Sequence, residues 1–182
     1  MKLLANNQVY LKLSNGGYVI VDAHRLSDLR DYTWSRDKSG RVNGIKSVSL
    51  AQIINKTPKG FVTDHVDGDL NDYTEKNLRT ATHSQNLANA RKRKGCSSIY
   101  KGVSWNVHLN LWHARIMVDG KLIRLGLFDN EVDAAKRYDS AAWYFYINFS
   151  KRNFEGLPEP YFPGSNKSVR DIKNERERAV FE

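Results

Sequence analysis

At 182 residues the chain has room for one medium domain or two small ones, and a hydrophobic share of 40% excludes wholesale disorder. A formal net charge of +9 favours an anionic partner, of which nucleic acid is the commonest. The single cysteine, Cys96, excludes an intrachain disulfide and a cysteine-rich zinc site, which fits a reducing compartment. The first residues turn polar too early for a secretory signal, and no apolar run reaches membrane-spanning length. A cytoplasmic protein with no membrane partner and no obligatory protein partner is therefore expected.

Residues 8–22 alternate with the period of a strand: Val9, Leu11 and Leu13 fall on one side, Tyr10 and Lys12 on the other. Ser14-Asn15-Gly16-Gly17 supplies a turn before Tyr18 to Val21, and the whole predicts a hairpin. A short helix is expected from about His24 to Arg30, with His24 in a structural role. Trp34, a Lys38-Ser39-Gly40 turn and Val42 to Val48 suggest a second hairpin. Ser49 is expected to cap a short helix through Asn55, which Thr57-Pro58-Lys59-Gly60 then breaks.

Phe61 and Val62 lead as a brief strand into Asp64-His65. Asp67-Gly68-Asp69 reads as a turn, since glycine tolerates positive φ and aspartate bonds its own backbone downstream. A second strand over 78–81 and a helix through Ala90, capped by Thr82 or Ser84, complete an order of strand, loop, strand and helix. That order brings His65 and Asn86 into one cleft.

Arg91-Lys92-Arg93-Lys94, continuing to Ser98, reads as a basic linker over 91–98. Four adjacent cations release counterions from a duplex when they lie along it, although a solvated spacer has the same composition. Cys96 there is expected to be an incidental exposed thiol. Beyond it, Tyr100 to Trp105, Leu111 to Val118 and Leu122 to Phe128 are strand-like, with Asp119-Gly120 as a hairpin turn. Glu131 to Tyr146 reads as one helix capped by Asn130, with Val132, Ala135, Tyr138, Ala142 and Phe145 on its apolar face. The free face of such a sheet is of a size to enter the major groove. After Asn148-Phe149 the pattern becomes irregular, and residues 155–182 are expected to be a tail.

The stretch from Asp64 to Asn86 concentrates the chemistry. Phosphodiester cleavage needs an activated water, a Lewis acid on the phosphate and relief of charge at the leaving oxygen. His65 can take a proton near neutral pH. Asp64 offers an anionic oxygen and Asn86 a neutral one, a pair that with waters and phosphate oxygens suits a hard divalent metal such as Mg²⁺. Asn77 is placed to bond backbone across the loop and hold His65 in orientation. Asp67 and Asp69 read as turn residues, and His83 as either a phosphate contact or a helix-start residue.

Asp64-His65, Gly68-Asp69, Asn77-Leu78-Arg79 and Gln85-Asn86 resemble the HNH endonuclease motif in the form that ends on asparagine. The intervals of 12 residues from His65 to Asn77 and 9 from Asn77 to Asn86 resemble those of HNH homing endonucleases encoded in introns of bacterial viruses. The resemblance implies that His65 is the general base, that Asp64 and Asn86 hold one divalent metal, Mg²⁺ or Mn²⁺, and that Asn77 orders a ββα-metal loop. Tyr73-Thr74 departs from the Asn-Arg pair common in that family and touches none of the four motif positions. Tyr100-Lys101-Gly102-Val103, Trp112 to Ile116, Leu125 to Phe128 and Glu131 to Ala142 resemble the apetala-two DNA-binding domain of plant ethylene-response factors, with Asn148-Phe149 as its closing pair. Such domains follow an HNH unit in a class of homing endonucleases. The first-strand arginines of the plant domain correspond to Ser104 and Asn106, so its base contacts do not transfer.

The fold expected is α+β: an N-terminal β-rich region with an HNH unit over 1–90 (motif 61–90), then a three-stranded antiparallel sheet packed on one helix over 99–154. The function expected is a metal-dependent, site-specific endonuclease acting on double-stranded DNA, with nicking and double-strand cutting both open. His65 and Asn77 serve catalysis, and Asp64 and Asn86 serve the metal. Arg91, Lys92, Arg93, Lys94, Lys101, Trp105, Asn106, Arg115, Lys121 and Arg124 are the candidate DNA contacts, with core packing the competing role for Trp105 and Trp112. A DNA-binding regulator with a vestigial nuclease and a non-specific nuclease are the rival readings.

Overall fold

A computed structural model describes residues 3–45, 48–92 and 95–156, and the fold is α+β. The chain divides into two compact units, residues 1–90 and 91–182.

In the first unit, β1 (Leu3–Leu4), β2 (Gln8–Lys12) and β3 (Tyr18–Asp22) form an antiparallel sheet in that order. Alternation decides its faces: Val9, Val19 and Val21 are buried, whereas Tyr10, Lys12 and Tyr18 are exposed. The turn before β3 runs through Gly16 and Gly17 at φ of +97° and +81°, a region closed to most side chains. A short α1 (Leu26–Leu29) and the pair β4 (Ser35–Arg36) and β5 (Val42–Asn43) follow as expected. α2 (Leu50–Asn55) buries Leu50, Ala51 and Ile54 and ends at Lys56 in the left-handed region, just ahead of Pro58. Ser49 holds the cap position of α2 but its side chain makes no cap bond, contrary to expectation.

β6 (Val62–His65) and β7 (Leu78–Ala81) are an antiparallel pair, followed by α3 (His83–Asn89). Thr82 caps α3 in a reciprocal box: its hydroxyl accepts from the Gln85 N–H at 3.1 Å, and the Gln85 side chain accepts from the Thr82 N–H at 2.8 Å. The loop between β6 and β7 is part of the core of this unit. Tyr73 joins Val9, Leu13, Val19, Val21, Leu29, Trp34, Val42, Leu50 and Ile54 in one cluster. Its N–H donates to Ile20 O at 2.8 Å and its hydroxyl accepts from Val42 N–H at 3.0 Å. Its ring also meets that of His65 edge-on at 4.8 Å, which corrects the expectation that Tyr73 touches none of the motif positions.

The second unit contains β8 (Val103–Asn106), β9 (Leu111–Val118) and β10 (Lys121–Phe128), in the order β10-β9-β8, packed on α4 (Glu131–Tyr146). Asp119 and Gly120, at φ of +47° and +79°, make the tight turn that matches strand twist. The Asn130 side chain accepts from the N–H groups of Val132 and Asp133, capping α4. Ala134, Ala135, Tyr138, Ala141 and Ala142 are buried, whereas Val132 and Phe145 of the expected apolar face are half-buried. Asn148-Phe149, the expected closing pair, lies in the short 3-10 turn that follows the helix, whereas the dipeptide bonded back onto α4 is Asn153-Phe154. Buried Asp139 accepts from both their N–H groups at 2.8 Å, the Asn153 amide brackets the Lys101 backbone, and Phe154 packs against Tyr100.

Gly102 has φ of +76°, and a Cβ there would fall 1.8 Å from the Tyr138 ring. Backbone strain and overpacking together make Gly102→Ala destabilising by about 2 kcal/mol or more, a drop of roughly 10 °C in the melting of this unit. Calorimetry checks it, and a melting temperature within a degree of wild type would refute the close approach.

Candidate active site and nucleic-acid interface

The register of β6 on β7 sets Asp64 opposite Arg79 and His65 opposite Leu78. Directly opposed residues share a face, so the carboxylate and guanidinium meet. Asp64 is 3% exposed. Its Oδ2 accepts from Arg79 Nε at 2.8 Å and lies 2.8 Å from Nη2. From α3, the Asn89 amide donates to Asp64 Oδ1 at 3.0 Å, Oδ2 at 3.1 Å and His65 O at 2.7 Å. The side chain seated on the carboxylate is thus that of Asn89, while Asn86 lies one helical turn earlier on α3, half-buried, its N–H bonded to Thr82 O. Sequence reasoning missed Asn89 and Arg79. The signals were the three-residue interval from Asn86, which shares a helix face, and the alternation of β7.

His65 is buried, and its Nε2 has no hydrogen-bond partner among the described residues. Buried polar atoms are nearly always bonded, so an orphaned one is a functional pointer. Burial holds the imidazole pKa below its ordinary value, against the opposing pull of Asp64, Asp67, Asp72 and Asp69. The ring is therefore neutral at physiological pH, with a nitrogen able to accept a proton.

Asn77 braces the loop, as expected. Its amide donates to Asp72 O at 2.9 Å, its oxygen accepts from Asp67 N–H at 3.1 Å, and its own carbonyl accepts from Val66 N–H at 2.8 Å. Asp67 and Asp69 are turn residues: each carboxylate accepts from the N–H two residues on, at 2.7 and 2.9 Å. His83 opens α3 and is exposed. His24 bonds Glu75 at 3.2 Å on the surface.

Among the described residues no cluster of three or more His, Cys, Asp or Glu side chains is built to hold a metal. A cation here would have Asp64 Oδ1, which also accepts from Asn89, and the Asn86 carboxamide, completed by water and phosphate oxygens. That all-oxygen set fits a hard divalent ion.

Strand parity sorts the proposed DNA contacts of the second unit. Ala114 and Ile116 of β9 are buried on the α4 side, and Val103 packs with Ala114, Ala134 and Ala135. Trp105 pairs with Trp112, which packs on that cluster, and their rings meet at 5.0 Å. Trp105 thus lies on the helix side, which corrects its assignment to the reading face. Lys121 pairs with Val118 and shares the parity of Ile116, so it also lies off that face. Asn106 remains on the open face, but its oxygen accepts from the N–H groups of His108 and Leu109 at 3.0 and 3.2 Å, which orders the turn. Lys101 is half-buried, its ammonium pushed down to about 8 by burial and by Lys151. Arg115 and Arg124 stand directly opposite each other on the open face, and Arg115 Nη2 donates to Ser104 Oγ at 2.8 Å. Arg91 is exposed and Lys92 half-buried, while Arg93 and Lys94 lie outside the described residues.

No family model matches the chain. Among curated proteins, "Protein 3.8" of Escherichia phage T7 is 38% identical over 65 residues, covering 35% of this chain and 53% of that protein. The chain thus spans about half the length of the curated relative it matches. No helix among the described residues is long and apolar enough to cross a membrane.

Because Asn77 bonds two backbone groups of the loop and is itself buried, Asn77→Ala leaves both without their partner. A loss of about 1–3 kcal/mol is expected in urea unfolding, with faster amide exchange at Asp67. An Asp67 amide still protected at wild-type level would contradict the brace.

Proposed function

We propose that the chain is a metal-dependent, site-specific DNA endonuclease of the HNH homing type. The observation that carries this reading is the unit of β6, braced loop, β7 and α3, which sets a buried carboxylate beside an imidazole with an unbonded Nε2. The bacteriophage source of the similar protein accords with it.

In this reading His65 accepts the proton of the attacking water, a role suited to a ring kept neutral by burial. Tyr73 and Asn77 hold the imidazole and its loop in one orientation, so that the base is set before substrate arrives. Asp64 and Asn86 would hold Mg²⁺ or Mn²⁺, whose chemistry when bound is to polarise the phosphate and relieve charge at the leaving oxygen. Asn89 fixes the Asp64 carboxylate relative to the His65 backbone.

The open sheet face supplies the DNA contact. Two arginines held opposite each other on one face form a site for phosphate or for the guanine edge. A second reading, a DNA-binding regulator with a silent nuclease unit, draws on the fact that Arg79 already neutralises Asp64. Supercoiled plasmid with Mg²⁺ separates the two, since a regulator leaves it intact.

His65→Ala is expected to lower cleavage by about 10²–10⁴-fold while leaving affinity in a gel shift near wild type. Equal loss of both would remove His65 from the role of base. Arg115→Ala and Arg124→Ala are each expected to weaken DNA binding and to shallow its salt dependence by about one unit of slope where the contact is to phosphate. Unchanged affinity and slope in both variants would move the contact away from this face. Fragments of fixed length from a long DNA are expected, and a smear would leave only non-specific cleavage.

A further inference from the structure

Asp64 already has a cation. Arg79 approaches its Oδ2 through Nε and Nη2, both at 2.8 Å, and the pair is largely withdrawn from solvent. Asn89, the other side chain bonded to this carboxylate, is neutral and is tied to the His65 carbonyl as well. Asp67, Asp69 and Asp72, the acidic residues of the adjoining loop, each turn one carboxylate oxygen onto the N–H two residues ahead. A divalent ion at Asp64 would therefore share one carboxylate with a guanidinium, where like charges are poorly screened.

We infer that Arg79 is a built-in competitor of the divalent cation at Asp64, neutralising the carboxylate while the metal is away and lowering the affinity of the free protein for it. The inference rests on the nuclease reading for the role of Asp64 as a metal ligand. It follows that the free protein is a weak metal binder by construction. A bound nucleic acid changes the balance, because its phosphate oxygens bring negative charge to the ion and a second anionic partner to Arg79.

The test is a Mn²⁺ titration of the full chain, reading free Mn²⁺ by its electron paramagnetic resonance signal. Arg79→Met keeps the aliphatic stem and removes the charge, and it is expected to bind Mn²⁺ about tenfold or more tightly than wild type. Adding Asp64→Asn to that variant is expected to abolish the gain. Equal or weaker binding by a folded Arg79→Met protein overturns the inference, as does a gain that survives Asp64→Asn. Should Arg79→Met lose its cooperative melting, Mn²⁺ is expected to restore it, since a cation binding only the native state replaces the missing charge. Failure of Mn²⁺ to restore it overturns the inference too. Plasmid nicking by wild type is scored separately. Nicking with unchanged Mn²⁺ affinity in Arg79→Met rejects the competition alone, whereas tighter Mn²⁺ binding without nicking rejects the nuclease reading alone.

Discussion

The first unit depends on how it buries one charge. Asp64 is withdrawn from water, and a lone carboxylate there would be far too costly to keep ionised. The ladder solves this by register, setting Arg79 opposite, and α3 adds the Asn89 amide. Removing one member of a buried pair leaves the other uncompensated, typically at about 3–5 kcal/mol. A slip of one residue between β6 and β7 would turn Arg79 to the other face and leave the carboxylate without its cation. The pairing therefore specifies the geometry of strand, strand and helix as much as the apolar contacts of Leu78, Ala81 and Ala88 do.

The N-terminal sheet and the loop over residues 66–77 are one mechanical object. The loop has little regular structure, yet its backbone donors are paired in sequence. Gly68 N–H bonds His65 O, Asn71 N–H bonds the Asp69 carboxylate, Tyr73 N–H bonds Ile20 O, and Glu75 N–H bonds the Asp22 carboxylate. Arg36 adds bonds to Leu70 O and the Asn71 side chain. His65 stands at the end of β6 where this loop begins, and the proposed role for it needs such support, because loops left to themselves are the mobile part of a fold. The β-rich region before the motif thus supplies one wall of the core that fixes His65, through Tyr73.

Local chemistry made much of this readable from sequence. Alternation marked the hairpin of residues 8–22, the Asp119-Gly120 dipeptide marked the turn between β9 and β10, and Thr82 and Asn130 marked helix starts. What escaped was pairing between distant positions. Asn89 carries no mark beyond its spacing from Asn86, and its importance appears only once α3 lies against β6. Tyr73 reads as a loop residue until Val42 and Ile20 are seen to bond it. Asn148-Phe149 and Asn153-Phe154 are identical dipeptides, and sequence alone does not say that it is the second whose N–H groups bond the buried Asp139. Trp105 alternates correctly, but which side α4 covers is a tertiary fact.

The same parity argument narrows the second unit. With Trp105 and Lys121 on the helix side and the Asn106 oxygen engaged in its turn, the open face retains Arg115 and Arg124 as its cations, flanked by exposed Met117, Leu122 and Leu127. Like charges directly across a ladder destabilise it, and α4 offers them no relief from the opposite face. Arg115 gains a neutral partner in Ser104, which orients its guanidinium without discharging it. An anion lying between the two arginines turns the repulsion into attraction. Recognition in the proposed endonuclease would therefore rest on two guanidinium groups, that of Arg115 oriented by Ser104, with the exposed leucines and methionine as the apolar surface against which thymine methyl groups or sugars would pack.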